Sequence, residues 1–96
     1  MGTTNQKAFR IRILQALRDL GGTGSKQQTL QRIEDLYGHE LTDEDWLPCR
    51  TRPEPLWHNR AAWERSDMVR DGLLDARSPR NMWALTEAGY SAVTAD

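Results

Sequence analysis

A chain of 96 residues, 38% hydrophobic and 28% charged, makes one domain with a two-layer core and leaves little room for a deep enclosed active site. No apolar run approaches the roughly 20 residues of a membrane span, and the start lacks the charged-then-apolar order of a secretory leader. The single cysteine, Cys49, and the two histidines, His39 and His58, sit at no zinc-site spacing, which predicts no disulfide, metal or other cofactor in a cytoplasmic protein. Formal net charge is -1, which counts against a binder that works by bulk positive charge.

Across residues 8–20, Phe9, Ile13, Leu17 and Leu20 recur at helical spacing, with Leu14 and Ala16 beside them. Arg10, Arg12, Gln15, Arg18 and Asp19 fall on the other side. This predicts an amphipathic helix of about three turns. Gly21 and Gly22 end it, because glycine accepts the left-handed turn of a helix C-terminus. Ser25 with Gln28 three residues on makes a capping box that opens a second helix. Its buried stripe is Leu30, Ile33, Leu36 and Tyr37, and Gly38 stops it. Thr42 then caps a short helix whose Asp43, Glu44 and Asp45 suit the positive end of a helix dipole. Residues 49–56, with Pro53 and Pro55, read as an ordered loop.

The next helix is predicted over 57–71, with Asn59 as its N-cap or first-turn residue. Ala61, Ala62, Trp63, Met68 and Val69 supply its apolar contacts, and Arg60, Glu64, Arg65, Asp67 and Arg70 turn outward. After Gly72 the period changes. Residues 73–77, the turn 78–81 and residues 82–86 read strand, turn, strand. Thr86 caps a final short helix from 87 to about 93. The order helix, helix, short helix, helix, hairpin, helix predicts a mainly α fold with a small β-hairpin, a winged helix-turn-helix. The single domain spans 1–96, with an ordered core at about 8–93 and the wing at 73–86.

Seven arginines stand between Cys49 and Asn81: Arg50, Arg52, Arg60, Arg65, Arg70, Arg77 and Arg80. Five acids share the stretch: Glu54, Glu64, Asp67, Asp71 and Asp75. Arginine is the side chain whose planar fork fits a phosphate or a guanine edge. A solvated face of mixed charges explains the same counts equally well. Of the four tryptophans, Trp63 and Trp83 fall on apolar faces and are expected in the core. Trp46 and Trp57 border loops and stay open, with an aromatic cage for a modified base as the alternative. No catalytic pattern survives inspection. Gly24-Ser25-Lys26 reverses the order a phosphate loop needs, His58-Asn59 lacks the rest of an HNH motif, and neither Lys7 nor Lys26 follows an acid by two residues. The expectation is a protein that is not an enzyme.

Several short motifs recur together in order: Gly21-Gly22 with Ser25-Lys26, Leu41-Thr42-Asp43-Glu44-Asp45, and Glu54-Pro55-Leu56-Trp57 with Asn59-Arg60 and Trp63. Gly72-Leu73-Leu74, then Ser78-Pro79-Arg80 before Trp83, and Leu85-Thr86-Glu87-Ala88-Gly89 complete the set. On these pieces the chain, from about Ile13 to Tyr90, resembles the N-terminal winged-helix domain of Mrr-like restriction endonucleases. The resemblance implies a DNA-binding module of a restriction or defence system, with nuclease chemistry in a separate domain or subunit and sensitivity to base modification. Glu64 and Asp71 depart from the pattern, standing where small apolar residues are common. Trp46 replaces a smaller residue, and residues 49–52 are more basic than usual.

On this layout Asn59 and Arg60 begin the recognition helix, aimed at the major groove, with Trp57 and Arg65 on the same helix. Arg50 and Arg52 reach the adjacent backbone, and Ser25 and Lys26 hold a phosphate at the second helix. Arg77, Arg80 and Asn81 lie at the wing tip. Only Asn59, Arg60 and one of Glu64 or Arg65 are placed to specify bases. The expected partner is double-stranded DNA, with no membrane and with a homodimer left open. The alternatives are a winged helix for protein interaction or dimerisation, and a small transcription regulator.

Overall fold

Phe9–Asp19 forms helix α1, which buries Phe9, Ile13, Ala16 and Leu17 along one side. Arg12, expected among the outward polar residues, is only 7% exposed. Its guanidinium lies over the rings of Phe9 and Tyr37, 5.2 Å from each centroid, and pairs with Glu40 at 2.8 Å. Two rings and one carboxylate thus replace the water that a buried cation loses. Gly21 and Gly22 adopt left-handed φ values of 88° and 101°. The Gly22 N–H donates to the Leu17 carbonyl at 2.7 Å, closing the helix as expected. A Cβ on Gly22 would collide with the Tyr90 hydroxyl, so this turn admits no larger residue. The computed structural model describes residues 2–94; Met1 and the last two residues of the 1–96 span lie outside it.

Strand β1 is Thr23–Ser25, and helix α2 is Lys26–Tyr37. The capping box forms in both directions. Ser25 Oγ accepts the Gln28 N–H at 3.0 Å, and the Ser25 N–H donates to Gln28 Oε1 at 2.9 Å. After a 3-10 turn at Gly38–Glu40 comes another at Glu44–Trp46, the predicted short helix. Thr42 and Asp45 cap each other there, by Asp45 N–H to Thr42 Oγ1 at 3.2 Å and Thr42 N–H to Asp45 Oδ2 at 2.9 Å. Asp45 is fully buried. It also accepts the N–H of Thr4 at 2.6 Å and its hydroxyl at 2.5 Å, which straps the N-terminal segment to the fold.

Leu56–Arg70 forms helix α3 behind Pro55, so Asn59 lies in its first turn and is not the cap. The buried line is Trp57, Ala61, Glu64 and Met68, at steps of four, three and four. Two expectations fail on this helix. Glu64, expected outward and named as a base-reading residue, is 0% exposed, and Trp63, expected in the core, is 61% exposed. The cause is Arg10 of α1, whose Nε meets Glu64 at 2.6 Å. A partnered carboxylate fills the core position that hydrophobicity alone assigns to the tryptophan. Trp83, by contrast, is in the core as expected.

Strand β2 is Met82–Ala84, and helix α4 is Glu87–Thr94. Thr86 Oγ1 accepts the Gly89 N–H at 3.1 Å, the predicted cap. The hairpin is shorter than expected. Its first arm contributes one bridge, Leu74 to Leu85, and one bond from the Asp75 N–H to the Ala84 carbonyl at 2.9 Å. Local turns end the pairing, because the Arg77 N–H goes to Asp75 Oδ1 and the Met82 N–H to the Pro79 carbonyl. The main partner of β2 is β1, antiparallel in the register Thr23 to Ala84, Gly24 to Trp83 and Ser25 to Met82. The fold is mainly helical with a small antiparallel sheet, in a winged-helix-like order. Phe9, Ile13, Leu17, Ile33, Trp57 and Met68 form the centre of its core.

Candidate nucleic-acid interface

The loop before α3 is closed at its base. The Leu56 N–H donates to the Leu47 carbonyl at 2.8 Å, the Cys49 N–H donates to the Glu54 carbonyl at 2.7 Å, and Pro48 bridges Pro55. The excursion between them displays Arg50, Thr51 and Arg52 on the surface. The start of α2 stands next to it, since Lys26 Nζ is 3.5 Å from Glu54. The Lys26 N–H donates to the Asn81 carbonyl at 2.9 Å, which brings the 78–81 turn to the same helix start. Three segments distant in sequence therefore adjoin. An open cleft of about 430 Å³ runs between the 51–54 loop, the start of α2 and α3, lined by Lys26, Arg52, Glu54, Asn59, Trp63 and Ser66. Asn59, Trp63 and Ser66 lie about half a helical turn away from the buried line of α3.

The charges of this region separate. Among the described residues, only Arg70 of the seven arginines between Cys49 and Asn81 forms a salt bridge, to Asp67 at 2.5 Å. The acids find their cations elsewhere. Glu54 pairs with Lys26, Glu64 with Arg10 at 2.6 Å and Lys7 at 3.9 Å, and Asp71 with Arg10 at 2.8 Å. Asp75 accepts the backbone N–H of Arg77, and among the described residues the Arg77 guanidinium forms no salt bridge. The hydrogen bond from Arg10 holds the Asp71 carboxyl below the usual carboxylate range. For Arg10 itself, burial pulls the guanidinium pKa down, but the bonds to Asp71 and Glu64 outweigh it and leave the value raised. Arg50, Arg52, Arg77 and Arg80 remain exposed without a carboxylate.

The predicted site residues divide accordingly. Lys26, Arg52 and Asn59 line the cleft, and Arg50 stands on the same loop. Arg77 and Arg80 are exposed on the turn beside the α2 start, where Asn81, at φ 66°, serves through its carbonyl. Ser25 is half-buried, and its oxygen already caps α2. The backbone donors of Ser25, Lys26 and Gln28 are engaged, so three of the donors at this helix start are already satisfied. Arg60 and Arg65 are half-buried, each with a buried Nε that makes no hydrogen bond. The Arg65 guanidinium lies 5.9 Å above the Trp83 ring, holding α3 to β2.

Trp57 does not belong to the accessible set. It is fully buried and stacks on Phe9 at 6.0 Å. Trp46 meets it edge-on at 5.6 Å, and His58 at 4.3 Å. These rings form a packed cluster with no open cage. Burial lowers the His58 pKa, which favours the neutral ring. Trp63 is the accessible residue that sequence reasoning missed. The 4-3-4 spacing of Trp57, Ala61, Glu64 and Met68 was the available signal, but it requires admitting a carboxylate to the core. Among the described residues no three His, Cys, Asp or Glu side chains converge as a metal site, and no helix is long and apolar enough to cross a membrane.

The family model described as the Mrr N-terminal domain matches residues 7–95. No curated protein and no solved structure matches the chain.

Proposed function

The chain belongs to the Mrr N-terminal domain family, and from that premise we propose that it is the DNA-recognition module of a restriction or defence system. It grips double-stranded DNA and leaves cleavage to a separate nuclease domain or subunit. The reading rests on the separation of charge. Four exposed arginines without carboxylates, Arg50, Arg52, Arg77 and Arg80, stand on two loops that adjoin the start of α2. Arginine forks on two flanking loops suit the phosphates on either side of a groove. The outward face of α3, which shares the cleft with Arg52 and Lys26, carries Asn59, Ala62, Trp63 and Ser66, uncharged side chains suited to base edges. A net charge of -1 is compatible with this, because four of the five acids in this stretch, Glu54, Glu64, Asp67 and Asp71, are paired with Lys7, Arg10, Lys26 and Arg70.

The test is a titration of duplex DNA against the parent and an Arg50→Ala, Arg52→Ala double variant over a series of salt concentrations. The parent should bind, and its affinity should fall linearly on a log–log plot against salt. The double variant should bind more weakly, with a slope shallower by about two, one for each phosphate contact removed. Absence of binding to any duplex at low salt would sink the reading in favour of a protein-interaction module.

A further inference from the structure

Trp63 is the largest side chain on the outward face of α3, and its 61% exposure exceeds that of any other large hydrophobic residue described. It lines the cleft with Asn59, Ala62 and Ser66, and its neighbours three and four residues away along the helix are Asn59, Arg60, Ser66 and Asp67. No ring contact covers it among the described residues. Arg52 and Lys26 line the same cleft. Leu47 and Ile11 are exposed nearly as much, but Trp63 is the one that lines the cleft beside unpaired cations, where its ring offers a partner a large apolar area to bury. The unpaired arginines on the adjoining loops favour a polyanion as the occupant. Within a DNA groove, the base-edge feature that an apolar side chain recognises is the C5-methyl group of a pyrimidine, in the major groove.

We propose that Trp63 is a specificity-determining residue that packs against pyrimidine C5-methyl groups. This rests on the DNA-binding reading above and adds to it the chemistry of the base contact. Asn59, one helical turn back on the same face, supplies the polar partner, since an amide can bond the edge of an adjacent adenine in two places. The arginines fix the height of the helix in the groove, and the tryptophan sets which pyrimidine lies beneath it.

The probe is a set of duplexes of one sequence: with thymine, with uracil replacing thymine, and with 5-methylcytosine replacing cytosine in the uracil form. Each is titrated with the parent, Trp63→Ala and Trp63→Phe. The parent should prefer the thymine duplex over the uracil duplex by about fourfold for each methyl contacted, the effect of covering one methyl-sized group. Trp63→Ala should bind both equally while keeping the parent's salt slope, and Trp63→Phe should retain part of the preference. Weakening on uracil substitution assigns the methyl to thymine, and strengthening on cytosine methylation assigns it to methylcytosine. A parent indifferent to all three duplexes overturns the proposal, as does a Trp63→Ala variant that keeps the parent's preference. In either case salt-dependent DNA binding by the parent leaves the broader reading standing, whereas failure to bind any duplex at low salt removes both. Unchanged melting curves for both variants show that the exposed ring is not structural.

Discussion

Between α1 and α3 the charges lie in a closed set. Arg10 holds Glu64 and Asp71, Gln6 donates to Glu64 and Asp67 at 3.0 Å each, and Arg70 pairs with Asp67. On the two loops that adjoin the start of α2, Arg50, Arg52, Arg77 and Arg80 form no salt bridge among the described residues. The two regions use the same residue types for different purposes. In the first a buried carboxylate needs its cation, because an unpaired charge in a low dielectric is costly. In the second the guanidiniums stay hydrated and cost the fold almost nothing. A chain with a net charge of -1 can therefore present a positive surface, provided the acids near it are paired, as Glu54 is with Lys26.

The largest effect that tests this contrast is on stability. Arg10→Ala should destabilise the fold by about 3–5 kcal/mol, because it strands the buried Glu64. Denaturant melts measure it, and a loss below about 1 kcal/mol would show that Lys7 and Gln6 suffice, as in a surface pair. Combining Arg10→Ala with Glu64→Leu should recover much of the loss, since no unpaired charge is then left buried.

A smaller loss is expected at Asp45. Burial raises its pKa, but the hydrogen bonds from Thr4 and Thr42 outweigh this and bring it below the ordinary carboxylate range. A folded-state pKa below the unfolded one makes the stabilisation complete above the unfolded value, about 3.9. It is lost as pH falls through the lower, folded value. Asp45→Asn should cost about 1.5–3 kcal/mol near neutrality. It should also make the acid limb of the stability curve shallower than the parent's. An acid limb of unchanged steepness would mean that Asp45 does not report on acid unfolding, leaving Asp71, shifted the same way by Arg10, as the stronger contributor.

The smallest effect on the fold belongs to the other region. Replacing Arg77 and Arg80 with alanine should change stability by no more than about 0.5 kcal/mol, as exposed substitutions do. The same change should weaken DNA binding to a similar degree for every sequence, because phosphate contacts carry no base information. A double variant that melts early but binds DNA normally would assign these arginines to the fold and erase the contrast between the two regions.

Much of the fold was legible because its signals are local. The capping box of Ser25 and Gln28, the left-handed glycines after α1 and the Thr86 cap each act within a few residues, so spacing alone reveals them. The exposed arginines 50, 52, 77 and 80 were legible for a related reason, lying in loops punctuated by proline. The exchange between Trp63 and Glu64 was not legible, since it depends on Arg10, 54 residues away. The partner of β2 was equally hidden. Thr23–Ser25 contains no hydrophobic residue that would mark a strand, and it pairs only because α1 and α2 deliver it to residues 82–84. Trp57 is a core residue and not a contact residue for the same reason, enclosed by Phe9 and Trp46 from two distant segments and by its chain neighbour His58. Sequence by itself determined where the helices begin and end, through contacts a few residues apart. Tertiary structure decided which charges are neutralised and which tryptophan faces water, because a buried charge is tolerated only where a distant chain segment supplies its partner.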